Sequence, residues 1–210
     1  MEVSITIKDL VVSLKGTRIL KGINLVVENT VALLYGTNGS GKTTLIRAIS
    51  GLIPYSGSIK INGKEVRSAK NLLEYSTNLP EVYFIGNTVL DTAKIVAELK
   101  GGDLREFLEL VERFGLESKK VINKPFYKLS TGERSLVTLS LALFAKPRVC
   151  TLDEPLENVD PQKREKVIRV IRERVKEGII VTHDKDLVKV FSGTPVYTMI
   201  EGELFEGIKV

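Results

Sequence analysis

The chain has a single cysteine among 210 residues, so it can form no internal disulfide and no cysteine-cluster metal site. Cys150 sits in an apolar run, where a small core residue fits better than a reactive thiol. No apolar run approaches the roughly 18 residues of a membrane-spanning helix. The opening Met1-Glu-Val-Ser-Ile-Thr6 alternates like a strand instead of resembling a secretion signal, which makes the cytoplasm the expected location. Internal repeats, low-complexity stretches and heptad runs are missing too. A formal charge of +5 admits nucleic acid or an anionic membrane face as partners. The basic residues are interleaved with acids, however, as between Arg164 and Arg174. That is the pattern of a solvated helix face, and no nucleic-acid partner is expected. Glutamine occurs once, at Gln162, beside abundant lysine and glutamate, a weak sign of a heat-adapted source that nine asparagines offset. Apolar content of 43% and charged content of 27% describe an ordinary globule, with one core or one core and a small lobe.

What is present is concentrated in one octapeptide. Residues 36 to 43 read Gly36-Thr37-Asn38-Gly39-Ser40-Gly41-Lys42-Thr43, a complete G-x-x-x-x-G-K-[ST] pattern. A polyphosphate needs a concave array of backbone N–H donors, and glycines let the chain curl closely around it. Lys42 is spaced to reach the β- and γ-phosphates, Thr43 offers a hydroxyl to Mg²⁺, and the helix that follows points its positive end at the anion. Context counts against a mere glycine-rich turn. Thr30 to Tyr35 is a buried-strand candidate, and Thr44 to Ser50 continues as a helix closed by Gly51. The candidate nucleotide contacts run from Gly36 through Thr44, and the ligand is Mg-ATP or Mg-GTP.

The first 66 residues otherwise read as strands: Val3 to Ile7, Ile23 to Val27, and a hairpin from Gly57 with an Asn62-Gly63 turn. Apolar spacing turns helical from about Asp91 to Phe114, in two segments parted by Gly101-Gly102. Beyond Pro125 the order is helix (132 to 145), strand (148 to 152), helix (161 to 176), strand (178 to 182), helix (184 to 191) and a hairpin around Glu201-Gly202. This alternation predicts an α/β fold with a mainly parallel sheet covered by helices, an N-terminal antiparallel β lobe and a small helical lobe.

A nucleotide hydrolase with this loop needs an acid to hold Mg²⁺ and a base to orient water. The apolar strand ending in Asp153-Glu154 offers both at the sheet's C-terminal edge, where ligands of open α/β sheets bind. Asp153 is the candidate Mg²⁺ holder and Glu154 the general base. The bland alternative, a solvated turn, fits less well after an apolar strand and before Pro155.

Upstream stands Leu129-Ser130-Thr131-Gly132-Glu133, and downstream the lone His183 in Val181-Thr182-His183-Asp184. Alone, the first is an ordinary helix cap and the second a capped strand end. In this order with the loop and the Asp-Glu strand end, the chain resembles the ATP-binding subunits of ABC (ATP-binding cassette) transporters over nearly its whole length. The resemblance implies a P-loop NTPase core (about 1–78 and 146–210 with the β lobe) and a helical lobe (about 79–145). It implies an ATPase that uses ATP and Mg²⁺ and works as a homo- or heterodimer on an integral membrane subunit of a separate chain. Its location would be cytoplasmic, peripheral on the inner face of the cell membrane. Leu129 to Glu133 would face ATP held by the other subunit, His183 would act with Lys42 and Glu154 in catalysis, and Asp160 would be the D-loop aspartate. A soluble ATPase of iron–sulfur assembly is the alternative in the same family.

Four positions, making three departures, differ from the family. Leu14 stands where an aromatic usually stacks on adenine, with Arg18 as a substitute stacking group. Asn78 replaces the glutamine that touches Mg²⁺, and joins Thr43 and Asp153 as a metal candidate. Leu136 and Leu141 replace arginines near the signature helix, which implies a less basic surface there.

Overall fold

The computed structural model describes residues 4–67 and 73–208. β1 (Ile5–Leu14) folds back on β2 (Thr17–Val27) through Lys15-Gly16, whose φ angles of 49° and 83° are those a two-residue hairpin turn requires. β3 (Val31–Tyr35) then leads into α1 (Lys42–Ile49). β4 (Ser56–Ile61) pairs with β1 and, through the expected Asn62-Gly63 turn, with β5 (Lys64–Glu65). The result is an antiparallel sheet in the order β2-β1-β4-β5. β1 runs well past Ile7 because a register shift at Asp9, with φ 48°, breaks its alternation without ending the pairing. Val3, where that strand was expected to start, lies outside the described residues.

The second half is helical before it is alternating. After β6 (Tyr75–Thr77) come α2 (Val89–Lys100), α3 (Leu104–Arg113), α4 (Ser118–Val121) and α5 (Thr131–Leu143). α2 begins two residues before the apolar spacing indicates, since Thr88 caps it by accepting from the Asp91 amide. β7 (Val149–Asp153), α6 (Pro161–Arg174), β8 (Gly178–Val181), α7 (Lys185–Val190), β9 (Val196–Ile200) and β10 (Glu203–Glu206) complete the chain. The larger sheet has the order β10-β9-β3-β8-β7-β6, parallel from β9 to β6, with β10 as an antiparallel edge.

Side-chain alternation in the middle strands decides the layers. Leu33, Cys150, Leu152 and Ile180 point into one core with Phe107, Phe114, Leu139 and Phe144 of the helices. Leu34, Val149, Ile179 and Val181 point into another with Leu45 and Ile49 of α1 and the inner face of the antiparallel sheet. The large sheet is thus sandwiched, which places the C-terminal ends of β3, β7 and β8 at one open edge. Cys150 is fully buried and its thiol is pushed up to about 12 by desolvation, so it stays an uncharged core residue, as its sequence context implies.

Gly178 opens β8 against β7 with φ 135°, and a Cβ there would lie 1.8 Å from the Cys150 carbonyl oxygen. Gly178→Ala is expected to lower the unfolding free energy by about 3 kcal/mol or more, from backbone strain and a clash that only strand separation relieves. Urea unfolding of the two proteins checks it.

Lys100, in the last turn of α2, donates to the Tyr75 carbonyl (2.5 Å) and the Ser76 hydroxyl (2.7 Å) on the outer edge of β6. Burial lowers its pKa to about 8 from 10.5. The folded protein releases this proton near pH 8 while the unfolded chain holds it to higher pH, so the group favours folding increasingly as pH rises through that window. Lys100→Met should abolish that rise. The parent's stability relative to the variant should increase by up to roughly 3 kcal/mol between pH 7 and 10.5, measured by urea unfolding across that range.

Candidate active site

The chain leaves β3 at Tyr35 and bends at once, because Gly36 takes φ 149° and packs where a Cβ would meet the Met199 carbonyl oxygen at 2.4 Å. The loop is held from outside by the β9–β10 turn, whose Gly202 amide donates to the Ser40 carbonyl at 2.9 Å. Lys42 is 8% exposed, and its ammonium donates to the carbonyls of Gly36 (2.8 Å) and Thr37 (2.9 Å), spanning the loop from within. The N-cap of α1 is Gly41 and makes no side-chain cap, so the first-turn amides are left for an anion. A groove of about 520 Å³ opens over this loop, lined by Asn38, Gly39, Gly41, Lys42, Thr43 and Thr44 and across from them by Asp153, Glu154 and Glu157.

Leu14 and Ile19 form the apolar end of that groove. Leu14, which stands where the family resemblance puts an aromatic base contact, thus lines the groove as an aliphatic side chain. Arg18, opposite Ser13 in the hairpin, is exposed and does not line the groove.

Asp153 ends β7 and accepts a hydrogen bond from Thr43. Its pKa is raised, chiefly by burial and further by the charge of Glu154, with the Thr43 bond and Lys42 opposing. A carboxylate disfavoured by desolvation is one that a cation stabilises. A hydroxyl and a carboxylate are also the hard oxygen donors that Mg²⁺ takes while keeping phosphate oxygens and waters for its other positions. Among the described residues no group of three or more His, Cys, Asp and Glu forms a metal cage.

Glu154 adopts φ 42°, rare for a side chain with a Cβ, while its amide donates to Val181 at 3.0 Å. The turn swings its carboxylate across the end of β8. There Oε1 lies 2.9 Å from His183 Nδ1, and Oε2 accepts from the His183 amide at 3.3 Å. His183 is 76% exposed and Glu154 20%, so the imidazole covers the carboxylate and faces outward.

Asn78 sits one residue beyond β6 and reaches the same edge. Its Nδ2 donates to the Asp153 carbonyl (3.0 Å) and its Oδ1 accepts from the Asp153 amide (2.8 Å).

Ser130 caps α5 in a reciprocal pair: its hydroxyl oxygen accepts from the Glu133 amide (3.2 Å) and the Glu133 carboxylate accepts from the Ser130 amide (2.9 Å). The Glu133 carboxyl is held below its usual range by that amide and by Lys124. Leu129 is buried as the anchor of this turn, and a Cβ on Gly132 would stand 3.1 Å from the Asn158 carbonyl oxygen. Thr131 and Arg134 line a second groove of about 450 Å³ that also holds Thr43, Asn78, Asp153 and Glu154. Leu136 and Leu141 are 2% and 0% exposed. They belong to the core of the helices, so the expectation of a less basic surface drawn from them is corrected. Arg134 keeps a cation at this turn.

Asp160 is exposed and caps α6 by accepting from the Gln162 amide. Sequence reasoning missed Arg164, which joins two segments of the site. Its guanidinium pairs with Asp184, the cap of α7 next to His183, at 2.7 Å, and donates to the Leu156 carbonyl at 3.2 Å. It also missed Met199 and Gly202 as supports of the phosphate loop. The Glu201-Gly202 turn was visible in the sequence, and only the fold brings it to residue 40.

The model of the ABC transporter family matches residues 20–157. The energy-coupling factor transporter ATP-binding protein EcfA of Methanocaldococcus jannaschii is 32% identical over 91% of the chain and 73% of its own length. An ABC transporter ATP-binding protein of Gloeobacter violaceus is 34% identical over 82% of the chain and 75% of its own length. Among solved structures, a cobalt transport ATP-binding protein (cbiO-2) superposes with a TM-score of 0.88 at 46% identity, covering 95% of the chain and 78% of its own.

Proposed function

The chain belongs to the ABC transporter family, and from that premise we propose that two copies, or one copy and a related ATPase, close head to tail on Mg-ATP to drive a separate membrane-spanning chain. The chain is an ATP-binding, ATP-hydrolysing subunit of such a transporter. The observation that carries the assignment of roles is the Glu154–His183 pair, 2.9 Å apart at the strand edge beside Asp153 and the phosphate loop.

In this reading residues 36 to 44 cradle the phosphates, and the Lys42 ammonium exchanges its loop carbonyls for β- and γ-phosphate oxygens. Thr43 and Asp153 would hold Mg²⁺, which would supply neutralisation of phosphate charge. Glu154 takes a proton from the attacking water. His183 orients Glu154 through Nδ1 and turns its other nitrogen toward the γ-phosphate. The Ser130 hydroxyl uses its oxygen as an acceptor within the cap and keeps its proton to donate, which suits a phosphate oxygen presented by the other copy. Asp160, at the exposed start of α6, faces that copy. The core is formed by about 1–78 and 146–210 with the β lobe, and the helical lobe by about 79–145.

Phe84 and Tyr127 are 57% and 76% exposed around a groove of about 450 Å³ completed by Pro125, Phe126 and Arg134. An exposed apolar groove with one cation suits an amphipathic segment of the membrane chain. None of the helices among the described residues is long and apolar enough to cross a membrane, and in this reading the partner supplies the span. The relatives named for energy coupling and for cobalt transport support a partner of that transporter type, and in this reading the subunit sits on that partner's cytoplasmic face.

Steady-state phosphate release from Mg-ATP, measured over a range of protein concentrations, tests the head-to-tail reading. The rate should rise faster than linearly with protein and be abolished by Ser130→Arg. A rate strictly proportional to protein and indifferent to Ser130→Arg would remove the second copy from the site. Co-purification with an integral membrane subunit, as against a soluble scaffold, separates transport from iron–sulfur assembly.

A further inference from the structure

Asn78 stands in the family's position for a metal-touching amide, yet its amide is engaged elsewhere. The ladder between β6 and β7 has its last backbone partners at Thr77 and Thr151. Past that point the chain turns away from the sheet toward the 3₁₀ turn at Pro80–Tyr83. The Asn78 carboxamide takes over, offering one donor and one acceptor to the two backbone groups of Asp153, as a peptide unit of an adjoining strand does. On its other side Asp153 is partnered by Val181 of β8, and the next amide, that of Glu154, donates to the Val181 carbonyl. The peptide that carries the Asp153 carboxylate is therefore held from both sides. Asn78 provides one of those sides with a side chain instead of a backbone.

Side-chain length decides whether this works. An asparagine amide meets both groups of Asp153 at 2.8 and 3.0 Å. Glutamine, one methylene longer, overshoots this pair and can reach further into the groove. Aspartate loses the donor and sets a carboxylate against the Asp153 carbonyl oxygen, and alanine loses both bonds.

We propose that Asn78 is a positioning residue that fixes the Asp153 backbone, and through it the carboxylate aimed at nucleotide-bound Mg²⁺, and is not itself a metal ligand. This rests on the reading of Asp153 given above. Residues that orient a metal-holding carboxylate typically contribute 10- to 100-fold in metal affinity.

The test compares Asn78→Ala, Asn78→Gln and Asn78→Asp with the parent by equilibrium binding of a fluorescent ATP analogue, first in EDTA and then through a Mg²⁺ titration. Thermal midpoints without nucleotide verify that each variant is folded. The expected result is unchanged affinity in EDTA for the Ala and Gln variants, with the Mg²⁺ concentration for half-maximal tightening raised about tenfold in both. The Asp variant should be impaired at least as much. Recovery of the parent's Mg²⁺ response in Asn78→Gln would overturn the proposal, because a ligand role is served by the longer amide and the backbone clamp is not. An unaltered response in Asn78→Ala would overturn it as well. A parent protein whose binding ignores Mg²⁺ would instead contradict the assignment of Asp153, an outcome distinct from either.

Discussion

Glu154→Gln is expected to cut phosphate release from Mg-ATP by about 10²- to 10⁴-fold, the range a positioned general base contributes, with ATP affinity held within a few-fold of the parent. Glutamine matches glutamate in size and keeps an oxygen for the His183 amide, which Oε2 of Glu154 now engages at 3.3 Å. What it loses is the capacity to take a proton from water. The positive φ at residue 154 is set by the turn over Val181 and is unaffected by the exchange. Single-turnover phosphate release beside equilibrium ATP binding separates the two quantities. A parallel fall in both would mean that Glu154 supports the fold of the edge instead of the chemistry.

The second large effect falls on binding. Lys42→Ala should weaken ATP affinity by roughly 100-fold, since charge-assisted hydrogen bonds contribute about 1.5–3 kcal/mol each. Lys42 has two tasks. It bridges the carbonyls of Gly36 and Thr37, keeping the loop curled, and it is the cation closest to the phosphate cradle. Lys42→Arg should be nearly as harmful, because a planar guanidinium cannot enter a site where the lysine is 8% exposed and served by two carbonyls at 2.8 and 2.9 Å. Isothermal titration with Mg-ATP checks both variants. Affinity restored in the arginine variant would show that only the charge is needed.

The sequence made the sheet edge legible because its chemistry is local. The octapeptide from Gly36, the Asp153-Glu154 strand end and the Asn62-Gly63 and Glu201-Gly202 turns each carry their geometry in a few adjacent residues. The parallel order followed from strands alternating with helices. β6 was not legible: its three residues, Tyr75 to Thr77, are too few for an alternation, and pairing with β7 is what makes them a strand. The full length of β1 was hidden by the irregularity at Asp9. Leu136 and Leu141 were read as surface from the family's arginines, whereas packing against the other helices puts them in the core. Contacts between remote segments left no local trace at all. The span from Arg164 to Asp184, the grip of Gly202 on Ser40 and the double bond from Asn78 to Asp153 join residues 20 to 162 positions apart in the chain, and only the folded sheet brings them together.

The central claim is that one chain holds half of each hydrolytic site and a second copy supplies the rest. The mass of Glu154→Gln in solution, measured by light scattering with saturating Mg-ATP and again without nucleotide, tests it most directly. A monomer of 23.3 kDa is expected without nucleotide and twice that mass with Mg-ATP, reversed by adding Ser130→Arg. A protein that binds Mg-ATP and stays at 23.3 kDa would contradict pairing of two copies and leave a related ATPase as the source of the other half.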